Sequence, residues 1–355
     1  MTEAEAILLV AVDNGVGYLT LNRPAKLNTL NLSLLRLLHH QLQSWEMDQN
    51  VVAVVLGGAG DKAFCAGGDI RALYKSYLQR DGEYQQFFDE EYALDQYIHG
   101  YHKPILALMD GLVLGGGMGL AQGASLRVIT ERSRLGMPEV AIGYFPDVGA
   151  SFFLSRLPGQ LGTYLAVTGQ QVSAADALYS GLADVCVASD RLGELRQTLG
   201  RHIWSTDPAR DLHAMVADLS VRLAPGALET LRPAIDDYFA LPDMLTIRDA
   251  LLTVAPPQFT GWASDTAALI DSRSPLSMSV TLELMRRGST RNLEQCFALE
   301  LCLQRQWFAK GDIIEGIRAL LVDKDHNPQW RPASLQSVSS YQVQAFFATV
   351  AGQPQ

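Results

Sequence analysis

Phe64-Cys65-Ala66-Gly67-Gly68-Asp69-Ile70 is an apolar run that breaks into two glycines and then into helical periodicity. A second stretch repeats the theme: Gly111-Leu112-Val113-Leu114-Gly115-Gly116-Gly117, again with an apolar approach and a helix expected beyond it. Each approach reads as a buried strand. Without a Cβ in the way, the glycines can turn backbone N–H groups toward a bound oxygen. Two such donors together make an oxyanion hole.

A third stretch adds charge. Met137-Pro138-Glu139 is followed by Ala141-Ile142-Gly143-Tyr144-Phe145 and then by Pro146-Asp147-Val148-Gly149. A proline precedes each acid and restricts the backbone there. The apolar neighbours raise a carboxyl's pKa and make it a stronger base once water is excluded. Either acid alone also reads as a cap or a solvated loop charge. A donor pair with two carboxylates points to chemistry on a thioester.

Working outward, the first sixty residues alternate strand and helix. Ala6–Val12 and Gly17–Leu21 flank the hairpin signal Asp13-Asn14-Gly15, Ser33–Met47 has helical periodicity, and Val51–Leu56 is a β-branched buried run. The pattern repeats loosely: helix over Ile70–Tyr97, strand over Pro104–Met109, helix over Gly117–Ala124, strand over Leu126–Thr130. This predicts an α/β fold, a spiral of repeated ββα units. Helices dominate after Leu161: Leu161–Thr168, Ala174–Ser180, Leu192–Thr198 and segments between Asp207 and Tyr238. Pro256-Pro257 then marks a break before Thr260–Ser272, Pro275–Arg287, Leu293–Lys310 and Ile313–Leu321. A division near residue 200 is expected, with a core over 1–200 and a helical region over 201–355 that covers the core or packs between subunits of a homo-oligomer. The last twenty residues, rich in Ser, Gln and Ala, read as a mobile or loosely docked tail.

Composition excludes several classes. The chain has 355 residues, 48% of them hydrophobic, which is ample for a core, and a formal charge of −10 without a basic block. Nucleic acid is therefore not the expected partner. No run of about 18 apolar residues predicts a membrane span. The acidic start Met1-Thr2-Glu3-Ala4-Glu5 reads as neither a secretory signal nor a transit peptide. Four cysteines, Cys65, Cys186, Cys296 and Cys302, lack metal-ligand spacing and read as reduced thiols of a cytoplasmic protein. Cys65 has no nearby histidine to activate it, so it reads as a packing residue. His99 and His102 read as structural, and no metal or separate cofactor is expected. The glycine runs are not nucleotide loops: a G-x-G-x-x-G pattern would need glycine where Leu120 and Gln122 stand, and no GK[ST] follows.

Phe64–Ile70, Gly111–Gly117 and Met137–Gly149 resemble the crotonase (enoyl-CoA hydratase/isomerase) superfamily. Leu21-Asn22-Arg23-Pro24 with Leu27-Asn28, Glu90-Glu91-Tyr92, Pro146-Asp147-Val148-Gly149 and Glu315-Gly316-Ile317-Arg318 through Asp325 resemble its 3-hydroxyisobutyryl-CoA-hydrolysing branch. The resemblance implies a crotonase-like fold, an acyl-CoA substrate and a place in valine breakdown. It implies oxyanion-hole donors at Gly68 and Gly116, catalytic acids at Glu139 and Asp147, and a substrate-pocket carboxylate at Glu91. It also implies a CoA channel along Lys26, Leu27, Ala66, Gly68 and Ile70, while Asp69 itself reads as a turn-capping residue. Glu139 acts either as nucleophile or as general base. The hydratases of the superfamily carry a first glutamate where Gly119 stands here, and no acid where Asp147 stands. That exchange favours hydrolysis over hydration. Ala121-Gln122-Gly123 and Ala150 depart from the branch pattern and bear on the acyl-chain preference. Two alternatives accompany this reading: an enoyl-CoA hydratase or isomerase, and a CoA-thioester-binding protein without catalysis.

Overall fold

The computed structural model describes residues 6–348. By contacts the chain divides into two units. The first comprises residues up to Asp69, Asp89–Gly136 and Val172–Glu229; the second comprises Ile70–Phe88, Met137–Gln171 and the chain from Thr230 on.

Among the described residues, every strand lies in the first unit. β1 (Leu8–Asp13) and β2 (Val16–Leu21) form the expected hairpin, with Asn14 and Gly15 at φ 48° and 77° closing a two-residue turn. β3 (Ala53–Gly58) is followed by short β4 (Ala63–Cys65), β5 (Ile105–Met109) by β6 (Leu112–Leu114), and β7 (Leu126–Ile129) by β8 (Arg134–Gly136). β9 (Val172–Ser173) and β10 (Val185–Cys186) complete the set. The longer strands make a six-stranded sheet, β1-β2-β3-β5-β7-β10, and the short ones a second sheet, β4-β6-β8-β9. Each turn of chain thus contributes one strand to each sheet. The parallel pairs β3–β5–β7 and β4–β6–β8 are the signature of a wound spiral of ββα units. This is the α/β crotonase-like fold that the resemblance implied.

The first unit's core follows from strand and helix periodicity. Val16, Tyr18, Val55, Leu106 and Val128 of the large sheet pack with Leu195, Leu199, Leu212, Val216 and Leu219, which recur at helical spacing on the helices Leu192–Arg201 and Pro208–Leu219. The helix Leu32–Met47 starts where the Asn31 side chain accepts the Leu34 N–H at 3.0 Å, and it buries Leu34, Leu35, Leu38, Leu42 and Trp45 on one face.

In the second unit helices predominate. The single helix expected over Ile70–Tyr97 is instead two, Ile70–Gln79 and Glu83–His99. Arg80 and Gly82 take φ of 55° and 82°, and the Asp81 carboxylate accepts the Glu83 N–H at 2.9 Å, so local capping breaks the helix without a proline. Met244–Thr253 is a further helix, capped by Asp243. The expectation of a loosely docked tail is also corrected as far as residue 348. Ser339 and Gln342 form a capping box at the start of the helix Ser340–Phe347, and the Phe346 ring lies 4.7 Å from that of Trp307. Residues 349–355 of that tail lie outside the described residues.

Candidate active site

Within the first unit, the two glycine turns abut. β4 runs into Ala66-Gly67-Gly68, where Gly67 has φ 89°. Leu30 forms a parallel bridge with Gly68: the Leu30 N–H donates to Gly67 O at 2.8 Å and the Asp69 N–H donates to Leu30 O at 2.8 Å. In a parallel bridge these two bonds flank the central residue, so the Gly68 N–H stays out of the pairing. β6 runs into Gly115, whose N–H donates to Gly136 O at 3.2 Å, and Gly116 opens the helix Gly116–Gln122. Its N–H is among the first-turn donors that a helix leaves without an internal acceptor. A Cβ on Gly67 would stand 3.0 Å from Leu114 O and 3.4 Å from the Gly116 nitrogen. Glycine is what lets the two donor-bearing turns touch.

Glu91 stands beside this pair. It is 3% exposed, and a Cβ on Gly116 would overlap its Oε1. Asp95, one helical turn on, is fully buried, and both carboxyls lie near enough to Cys65 to act on its thiol. Burial, reinforced by those two charges, pushes that thiol up to about 12, which removes Cys65 as a nucleophile at neutral pH. Burial also holds the His99 ring down to about 4. His102 faces outward, its Nδ1 2.7 Å from Glu46 Oε1. Asp69 is not a turn cap but an ion-pair partner: its Oδ2 meets Arg23 Nη2 at 3.1 Å and Lys26 Nζ at 3.4 Å. Lys26 and Leu27 belong to the turn around Pro24–Lys26, and the Ala66 N–H donates to Leu27 O at 3.0 Å. Next to them a cavity of about 250 Å³ is lined by Pro24, Ala25, Leu27, Asn28 and residues 59–63. Ile70, the last residue of the implied CoA channel, begins the helix Ile70–Gln79 of the second unit.

The carboxylate segment lies in the second unit. Glu139 opens a short 3-10 turn, Glu139–Ile142, that ends at Gly143 with φ 70°. It is 9% exposed, and its Oε2 is buried with no hydrogen-bond partner among the described residues. Burial first, then the charge of Asp147, raises the Glu139 carboxyl well above the usual carboxylate range. Asp147 is 5% exposed and accepts the Tyr144 hydroxyl at 3.2 Å on Oδ2. Two carboxyls whose charges disfavour each other, one of them polarised by a phenol, suit acid and base roles at neutral pH. The helical region fixes the segment. Trp307 Nε1 donates to Gly143 O at 2.7 Å, and the Ser277 hydroxyl donates to Tyr144 O. Tyr144 and Trp307 carried no local sequence signal, because their contacts join stretches more than 150 residues apart.

Strand pairs wound so that short strands end in glycine turns define one class of protein. Residues 16–347 match the enoyl-CoA hydratase/isomerase family, and the chain belongs to it. Among its relatives are the mitochondrial 3-hydroxyisobutyryl-CoA hydrolases of Gallus gallus and Homo sapiens. The first is 36% identical over 347 residues, 95% of this chain and 88% of the relative; the second is 33% identical over 352 residues, 98% and 90% respectively. Among solved structures, a carnitinyl-CoA dehydratase from Mycobacterium thermoresistibile is 38% identical with a TM-score of 0.88, covering 98% of both chains. An enoyl-CoA hydratase from Rhodobacter sphaeroides 2.4.1 is 31% identical with a TM-score of 0.87, covering 97% of this chain and 98% of its own.

The relatives correct one expectation. A cytoplasmic location was inferred from free cysteines, yet these hydrolases are mitochondrial proteins. Unpaired thiols report reducing surroundings and do not single out one compartment. The segment Met1–Glu5, read as lacking a signal, lies outside the described residues. Among the described residues, no helix is long and apolar enough to cross a membrane, and no group of three or more potential ligands could hold a metal ion.

Proposed function

We propose that this chain hydrolyses a short β-hydroxyacyl-CoA thioester, 3-hydroxyisobutyryl-CoA above others, to the free acid and CoA. One observation carries the reading: Asp147 supplies a buried carboxyl that acts on Glu139, while position 119 is a glycine and supplies none. Full-length similarity to hydrolases of that substrate supports it.

In this reading the thioester oxygen accepts from the N–H groups of Gly68 and Gly116, whose bonds strengthen as negative charge develops. One such donor is worth about 3 kcal/mol in the transition state. Glu139 either adds to the carbonyl, forming an anhydride that water then opens, or takes a proton from the attacking water. Both routes break the carbon–sulfur bond, and the sulfur leaves as a thiol after taking up one proton. Asp147, held by Tyr144, orients the water or the 3-hydroxyl and relays that proton. Glu91 orients the acyl end. Lys26, Leu27, Ala66, Gly68 and Ile70 line the path of the CoA moiety, the cavity at Pro24–Asn28 taking its adenine end. Residues 1–200 then carry all the reacting groups, and 201–355 form the helical region.

A second reading, hydration of an enoyl-CoA, draws support from the likeness to the Rhodobacter sphaeroides enoyl-CoA hydratase and the Mycobacterium thermoresistibile carnitinyl-CoA dehydratase. It needs a second acid/base carboxylate, which Gly119 does not provide. The test offers 3-hydroxyisobutyryl-CoA and crotonyl-CoA separately, following free thiol with a chromogenic reagent and the conjugated thioester by ultraviolet absorbance. Thiol release from the first alone, lost in Glu139→Gln, is the expected result. Hydration of crotonyl-CoA without thiol release would overturn the proposal.

A further inference from the structure

Glu300 sits in the middle of the helix Leu293–Lys310 and is completely buried. Its carboxylate accepts three hydrogen bonds, all from the segment that follows Asp147. The Gly149 N–H donates at 2.7 Å, the Ser151 N–H at 2.8 Å, and the Ser151 hydroxyl bonds the same oxygen as its own N–H. The reason lies in the local sequence. Gly149 is the N-cap of the short helix Ala150–Phe153 and has no side chain with which to cap it, so the first-turn donors need an outside acceptor. Upstream, Val148 is held at φ 52°, a rare conformation for a β-branched residue, and Gly149 at φ 86°. Gly149 also packs closely on the helix that carries Glu300, since a Cβ there would stand 3.1 Å from Phe297 Cζ.

A neutral acceptor would satisfy these donors at less cost than a buried charge. No Lys or Arg among the described residues pairs with Glu300. Burial pushes its carboxyl up to about 8 against the pull of three donors, and the charge of Asp147 adds to the rise. On its own helix, Cys296 also lies within its field.

We infer that Glu300 is a positioning residue for the proposed hydrolysis: it sets Asp147 by clamping the backbone two and four residues beyond it. The inference rests on the functional reading given above, with Asp147 as a reacting group. Glu300 itself touches no reacting atom.

The test combines kinetics with amide exchange. Glu300→Gln keeps the length but turns one acceptor oxygen into an NH₂ group that must face a backbone N–H. The milder Ser151→Ala removes only the hydroxyl bond. Thiol release from 3-hydroxyisobutyryl-CoA is measured for both, in the native background and with Asp147→Asn. Amide exchange at Gly149 and Ser151 is followed by NMR. The expected result is a kcat lowered about tenfold or more in Glu300→Gln, with KM within about threefold, and a smaller loss in Ser151→Ala. In the Asp147→Asn background the further loss should shrink to within about twofold, since coupled residues are non-additive. Exchange at both amides should rise about tenfold. Equal losses in both backgrounds, or unchanged exchange in folded Glu300→Gln, would overturn the assignment. If the native protein releases no thiol, the functional reading fails, and the exchange result alone decides whether Glu300 clamps the loop.

Discussion

Gly116→Ala puts the donor pair under the sharpest strain. The added Cβ would overlap Glu91 Oε1 and stand 3.1 Å from Leu30 Cδ1, against side chains that are themselves buried. Glu91 must swing away or the start of the helix Gly116–Gln122 must shift, and either movement takes the Gly116 N–H off its line. Overpacking of this kind costs about 1–3 kcal/mol of stability. Loss of one oxyanion donor costs about 3–4 kcal/mol in the transition state, or about 10²–10³ in kcat. Thiol release from 3-hydroxyisobutyryl-CoA separates the two effects when read beside a urea titration. Because the donor acts mainly on the transition state, kcat should fall far more than KM rises. A folded Gly116→Ala protein with kcat within about threefold of the native value would refute the assignment of this N–H.

Three further outcomes follow from the same geometry. Tyr144→Phe removes the hydroxyl that donates to Asp147 Oδ2; it should cost about 1 kcal/mol of stability in urea titration and lower kcat several-fold. Glu139 and Glu300 both have carboxyl pKa values raised by folding, so their contribution to stability is fully present below pH ~4.5 and is lost as pH rises through the folded values, near 8 for Glu300. The unfolding free energy from urea titration should therefore fall between pH ~4.5 and about 8, by a little over 1 kcal/mol per pH unit from Glu300 with Glu139 acting in the same direction, and Glu300→Gln should flatten the slope. Native-state alkylation at neutral pH should leave Cys65 unmodified, because its thiol is buried and pushed up to about 12, while the less buried Cys302 reacts first; mass spectrometry of the labelled peptides decides it.

The spiral was legible because strands such as β3 and β5 are short apolar runs with glycine at or just beyond their ends. Its second sheet was only half legible: the approaches to the two glycine turns, β4 and β6, read as buried strands, whereas β8 with three residues and β9 with two are too short to show a period of two. The break at Arg80–Gly82 escaped because a non-glycine residue takes the left-handed conformation there. The docked end helix escaped because its burial rests on Phe346 and Phe347, two residues at the end of a stretch rich in Ser, Gln and Ala. At the site, Glu139, Asp147 and the glycine pair stood out through local motif. Tyr144 and Glu300 did not, since what makes them matter is a partner: a side chain three residues away across a turn, and a backbone about 150 residues away. Asp69 misled for the same reason, because its partners Arg23 and Lys26 lie more than forty residues upstream.

The central claim is that water oxygen ends on the thioester carbon. Turnover of 3-hydroxyisobutyryl-CoA in ¹⁸O-labelled water, with mass spectrometry of the products, reads this directly. The hydrolysis proposed here places the label in the carboxylate of 3-hydroxyisobutyrate and leaves CoA as a free thiol. An intact thioester carrying the label at carbon 3, from the substrate or from crotonyl-CoA, would contradict it and establish hydration chemistry instead.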